Sequence, residues 1–202
     1  MNDVRRGLAM ADRVAREAAA AGVDDAAVER LRMVLALALE RRHAAGMDEE
    51  HPDYLHPART ALILIEDAQV RDGDVLAAAL MVDSVTPALG LSAAADRALG
   101  SERVAALFAE LPAHGLEPDE RREALVVCGD DARRIALAER LDHARHLHFR
   151  DRSAWRSLHE SVVRADLPVA EHYEPALARR LRRWADAFGR RRLRDVPGVA
   201  ES

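Results

Sequence analysis

The sequence predicts an all-α protein, and three observations carry that prediction. The chain is rich in Ala, Leu, Arg and Glu, all strong helix formers. Apolar residues recur at three- and four-residue spacing through most of its length. No segment alternates apolar and polar residues between hairpin-type turns, and only Leu125-Val126-Val127-Cys128 has the look of a strand.

Composition narrows the class further. Hydrophobic residues make up 49% of the 202, enough to offset ordering entropy, so a globular domain is expected rather than a disordered chain. With aromatics at 3%, the core must be built from Leu, Val, Ile and Ala, and the alanines let helices approach closely. All 30 basic residues are Arg, which reads as a coding bias, and the net charge of -5 argues against general DNA binding. Cys128 is the sole cysteine, so no internal disulfide forms and a reduced cytoplasm is the expected setting. The N-terminus lacks the apolar core of a secretory signal, and no apolar run reaches membrane-spanning length. Nothing specifies an oligomeric state.

The elements follow in order. A first helix is expected over about 3–20, stopped near Gly22, and Asp24 or Asp25 caps a second carrying the stripe Val28, Leu31, Leu35 and Leu39. Gly46 ends it. His51-Pro52-Asp53-Tyr54-Leu55-His56-Pro57 then turns into a third helix, with Pro57 in its first turn and Leu62, Ile63, Leu64 and Ile65 apolar all round, as in a buried helix. Asp72-Gly73-Asp74 starts a fourth, ended by Pro87; shorter helices are expected over 92–99, 101–111 (capped by Ser101) and 120–127. A long helix over about 131–148 precedes two more, over 155–165 and 169–192. No internal repeat or linker divides the chain. One domain is expected, with a core over about 24–165, a C-terminal helix over 169–192 and a frayed tail over 195–202.

Three ligand-type residues interrupt apolar helical surfaces. His56 opens the third helix, Asp83 follows an apolar stretch in the fourth, and Glu139 lies within Ile135-Ala136-Leu137-Ala138-Glu139-Arg140-Leu141-Asp142-His143. A charge on an apolar face is costly unless it is paired, protonated or bound to a metal. Two acids and a histidine gathered in a helical core would suit a hard or borderline divalent ion.

The same three blocks carry a family resemblance. His56-Pro57, then Ala77-Ala78-Ala79-Leu80-Met81-Val82-Asp83, then Leu137-Ala138-Glu139-Arg140-Leu141-Asp142-His143-Ala144-Arg145, resemble the HD-domain (p)ppGpp hydrolases of the RelA/SpoT family, whose small single-domain members are closest in size. The family's blocks read His-Pro, Ala-Ala-Leu-Leu-His-Asp-Val-Val-Glu-Asp-Thr and Lys-Leu-Ala-Asp-Arg-Leu-His-Asn-Met-Arg. The likeness covers roughly residues 54–150 and implies a compact HD-domain-like helical bundle. It implies His56, Asp83 and Glu139 as metal ligands, with His143 as a possible fourth, and Mn²⁺ as the ion. Arg140, His143 and Arg145 would approach a guanine nucleotide such as (p)ppGpp.

The departures fall at the centre of that pattern. Val82 stands where the family has the histidine of its His-Asp pair, and Thr86-Pro87 replaces the Glu-Asp that helps activate water. Glu139 holds the last aspartate position on a longer arm, Ala136 replaces a lysine, and His143 an asparagine. Losing an imidazole weakens the metal, and losing the acidic pair removes acid–base assistance. The leading expectation is therefore a degenerate relative, catalytically weak or inactive, serving as a nucleotide-binding or interaction module. The alternative is an active metal-dependent nucleotide pyrophosphohydrolase with an altered ligand set.

Each site has a plainer reading beside it. His56 can pack at a helix start while the acids pair with Arg59, Arg140 or Arg145. His143, His146 and His148 can be partly exposed residues near a helix C-terminus, where positive charge is favoured. The arginines at 179–192 alternate with Leu181, Trp184 and Phe188, as on a helix with one apolar stripe and one solvated face. Cys128 reads as a small core residue.

Overall fold

Glycines and aspartates punctuate the first half of the chain. The computed structural model describes residues 3–47, 50–82, 101–149 and 151–193. Helix α1 (Asp3–Ala21) ends at Gly22, whose φ of 93° belongs to the left-handed region. There Gly22 N–H donates to Ala19 O and Val23 N–H to Ala18 O, both at 3.0 Å, the paired bonds of a Schellman stop. Helix α2 (Asp25–Ala44) starts at Asp24, whose carboxylate accepts from Ala27 N–H at 2.9 Å. Of its expected stripe, Leu31, Leu35 and Leu39 are buried and Val28 is half-buried.

Helix α3 (His56–Glu66) has Pro57 in its first turn, where the missing N–H breaks no bond. Every residue from His56 to Ile65 except Arg59 is buried, and the helix lies in the middle of the molecule against α1, α4 (Gly73–Met81) and α7 (Asp130–His146). Asp72 caps α4 by accepting from Asp74 N–H at 2.8 Å and Val75 N–H at 3.3 Å. Helices α2 and α4 pack so closely that a Cβ on Gly73 would stand 2.7 Å from Ala27 Cβ. Val82 is buried at the end of α4. Asp83, Thr86-Pro87 and the helix expected over 92–99 lie outside the described residues.

Ser101 starts α5 (Glu102–Glu110), and its hydroxyl also donates to Asp74 at 3.0 Å, tying the two helix starts together. Helix α6 (Pro118–Val127) opens on a capping box between Glu117 and Glu120. Its C-terminal carbonyls are taken by a buried side chain of the next helix. Arg133 donates to Leu125 O at 2.8 Å and to Cys128 O at 2.7 Å, and its guanidinium lies 4.0 Å from the Tyr173 ring centre.

A 3-10 turn (Leu147–Phe149) leads from α7 to α8 (Ser153–Ser161). A single π-helical segment (Val162–Asp166) follows and runs directly into α9 (Leu167–Tyr173). Where the sequence predicts one helix over 169–192, the structure has two, because Glu174 (φ −134°, ψ 70°) leaves the helical region before α10 (Pro175–Arg191). Pro175 explains the break, since the residue before a proline is pushed toward extended geometry.

Every regular element among the described residues is helical, and the all-α class holds. None of the described helices is long and apolar enough to cross a membrane.

Candidate metal centre

The site forms where the start of α3 meets the middle of α7. His56 is the first residue of α3, anchored by the turn before it: Arg59 donates to Pro52 O, and Arg42 to Asp53 O, both at 2.7 Å. On α7, Glu139 and His143 are one turn apart and share a face. His56 is 1% exposed, Glu139 is also buried, and His143 is half-buried at the rim.

A short contact runs from His56 to Asp142, between Nδ1 and Oδ2 at 2.7 Å. Asp142 accepts, so His56 Nδ1 carries a proton, and Nε2 is the ring nitrogen that would ligate a metal. Asp142 is completely buried, yet it stays ionised. Burial alone would push its carboxyl up, but hydrogen bonds from His146, His56 and Arg59 override that and hold it well below the usual carboxylate range. The Arg59 guanidinium reaches Oδ1 at 2.9 Å and Oδ2 at 3.0 Å.

Beyond His56, the His143 ring stacks on it with centroids 4.1 Å apart and planes 3° from parallel. Glu139 Oε1 lies 3.7 Å from His143 Nδ1 and 3.9 Å from His114 Nδ1. One ligand atom from each of His56, Glu139 and His143 falls within 4.8 Å of the others. These three residues can hold a metal ion. Two imidazoles and a carboxylate form a donor set that catalytic zinc sites use with an open fourth position. A bound ion would need these three ligand atoms closer together than the 4.8 Å that now spans them.

No family model, curated protein or solved structure matches this chain. The geometry is therefore weighed on its own chemistry.

Of the residues singled out from the sequence, His56, Glu139 and His143 come together here, and Asp83 lies outside the described residues. Arg140, one position along α7 from Glu139, turns away from the cluster. Its Nε lies 3.4 Å from Asp166 Oδ2, in a buried group where Arg121 reaches Asp166 Oδ1 at 2.7 Å. Burial lowers the pKa of Arg140 despite Asp166, with Arg121 adding to the effect; in Arg121 burial also acts downward, but Asp166 prevails and raises it. Arg145 is exposed and faces α10. Arg59 and Arg140, weighed from sequence as partners of the candidate ligand acids, go to Asp142 and Asp166.

Asp142 is the residue that sequence reading passed over. Its signal was its position: it lies three residues after Glu139 and four before His146, beside Leu141 and His143. A carboxylate behind a ligand histidine fixes the tautomer and raises ligand basicity.

Proposed function

We propose that this protein binds one divalent metal ion through His56, Glu139 and His143, and uses it to hydrolyse a pyrophosphorylated guanine nucleotide of the (p)ppGpp type. The observation that carries the reading is the convergence of His56, Glu139 and His143, whose ligand atoms lie within 4.8 Å of one another, so that His143 offers a second imidazole in a chain that has Val82 at the position of the resembled family's histidine. A bound divalent ion would lower the pKa of a water ligand and polarise a phosphoryl oxygen. The chain's own groups would hold that chemistry in place: Asp142 keeps His56 in the ligating tautomer, and Arg59 keeps Asp142 ionised. The resemblance of residues 54–150 to alarmone hydrolases supports the nucleotide class. Two imidazoles move the preferred ion from Mn²⁺ toward Zn²⁺.

Turnover is expected to be slow. With Thr86-Pro87 in place of an acidic pair, acid–base assistance worth about 10²–10⁴-fold is missing. The same substitution, with Val82, favours a second reading, in which the chain binds a nucleotide or a protein partner without turning it over.

The test is calorimetric titration of metal-stripped protein with Mn²⁺ and Zn²⁺, with His56→Ala and His143→Ala beside it, followed by assay of pyrophosphate release from ppGpp. Saturable binding lost in both variants, with metal-dependent release, supports the hydrolase. Specific binding without release supports the binding module. Absence of specific metal binding overturns the metal-dependent reading.

A further inference from the structure

The far side of α7 carries a second site of different chemistry. Arg145 from the end of α7 and His148 from the 3-10 turn after it, with Trp184, Phe188 and Arg191 from the end of α10 and Arg192 just beyond it, line a cleft of about 280 Å³. Two residues along an α-helix correspond to about 200°, so Arg145 points away from the face that carries His143. The cleft and the metal cluster are therefore separate.

Two features single this end out. The first is unpaired positive charge. Many arginines elsewhere meet acids, as in Arg30–Asp74 at 2.6 Å, Arg134–Glu174 at 2.7 Å and Arg164–Glu160 at 2.8 Å. Among the described residues, Arg145, Arg191 and Arg192 meet none, in a chain whose net charge is -5. Helices α7 and α10 both end here, but a helix C-terminus offsets only about half a charge, less than three guanidinium groups carry.

The second is aromatic surface. The chain has two tryptophans and three phenylalanines. Trp155, Trp184, Phe188 and Phe149 all lie at this end, with Trp184 stacked on Phe188 at 5.0 Å and half-buried at the cleft wall. An aromatic face set among guanidinium forks matches a ligand with both a flat ring and phosphate groups.

We propose that this cleft binds a nucleoside polyphosphate, with the base against Trp184 and the phosphates held by Arg145, Arg191 and Arg192. The site works without the metal cluster and does not rest on the hydrolase reading.

The experiment follows tryptophan fluorescence and calorimetric heat as GTP and ATP are added to the full chain, with adenosine, sodium tripolyphosphate and poly(U) as comparison probes. Saturable quenching by the nucleotides is expected, absent in Trp184→Phe and at least tenfold weaker with adenosine or tripolyphosphate. Arg191→Glu/Arg192→Glu should weaken nucleotide binding at least tenfold while leaving Zn²⁺ binding intact, and His56→Ala should leave nucleotide binding intact. If the double variant loses its far-ultraviolet helical signal, Arg145→Gln is read in its place. The proposal is overturned by the absence of binding up to millimolar nucleotide, or by unchanged affinity in a folded arginine variant. Loss of binding in His56→Ala would overturn it too, by moving the nucleotide to the metal cluster. Tighter binding of poly(U) than of GTP would overturn it in favour of an RNA surface.

Discussion

His56 and Asp142 are 86 positions apart in the chain and 2.7 Å apart in the fold, and their hydrogen bond occupies the Nδ1 side of the His56 ring. Asp142→Asn keeps the shape but offers an amide that can donate as well as accept, and so loosens the tautomer. Metal affinity should fall by about 10–100-fold. Calorimetry with Zn²⁺ reads this directly, and affinity equal to the unaltered protein would remove Asp142 from the site.

His143 and His148 make a paired test on neighbouring turns. His143→Ala takes away one of three ligands from the rim, so metal binding should drop below detection at micromolar protein while the melting temperature moves little. His148→Ala changes an exposed ring and should leave metal binding unaltered. Equal losses in the two would mean that the histidines act only through overall charge.

Asp166 is the shared counter-charge of two arginines in the interior. Arg121 approaches it at 2.7 Å and Arg140 at 3.4 Å, and Asp166 has no exposed surface. Asp166→Ala strands both guanidinium groups and should cost about 3–5 kcal/mol in urea unfolding. Replacing Arg121 by Met should cost less, because Arg140 still neutralises Asp166. The order of these two midpoints is the result to look for; the reverse order would mean that the network is not held by Asp166.

Cys128 offers a pH-dependent readout. Burial pushes its thiol above the ordinary value, with Arg133 opposing, and its Sγ lies 3.4 Å from Leu125 O. A raised folded-state pKa favours the native state fully below the unfolded thiol value of about 8.5, and that contribution declines as pH rises through it. Since the thiolate is the reactive form, native protein should react slowly with thiol reagents at pH 7–8 and faster above pH 9. Urea should abolish the delay. Rapid labelling of native protein at pH 7 would contradict the burial.

Most of the framework was readable because it rests on local chemistry. Asp24, Asp72 and Ser101 cap helices through their own side chains, and Gly22 stops α1 through its backbone; none of this needs a distant partner. His56 and Glu139 stood out as ligand types on apolar faces. Choosing between Glu139 and Asp142 required the register of α3 against α7, which sequence spacing does not contain. The turning of Arg140 toward Asp166 was hidden for the same reason, since Asp166 lies at the end of a π segment that the sequence pattern does not show. The interruption at Glu174 was written in Pro175, but the apolar stripe through Leu177 and Leu181 masked it.

The π segment also has a genealogical consequence. A π turn holds one more residue than the α turn it replaces, so it is the trace that a single-codon insertion would leave in a continuous helix. Deleting one residue between Val162 and Ala165 would restore α winding and leave the flanking helices nearly in register, because the wider turn already absorbs the extra residue. Helix α8 would keep the face it presents to α10, and Trp155 its edge-on contact with Phe188. A relative with one residue fewer at this point is therefore expected to retain the aromatic end of the molecule and to differ in the Asp166 network, which lies within the wide turn itself.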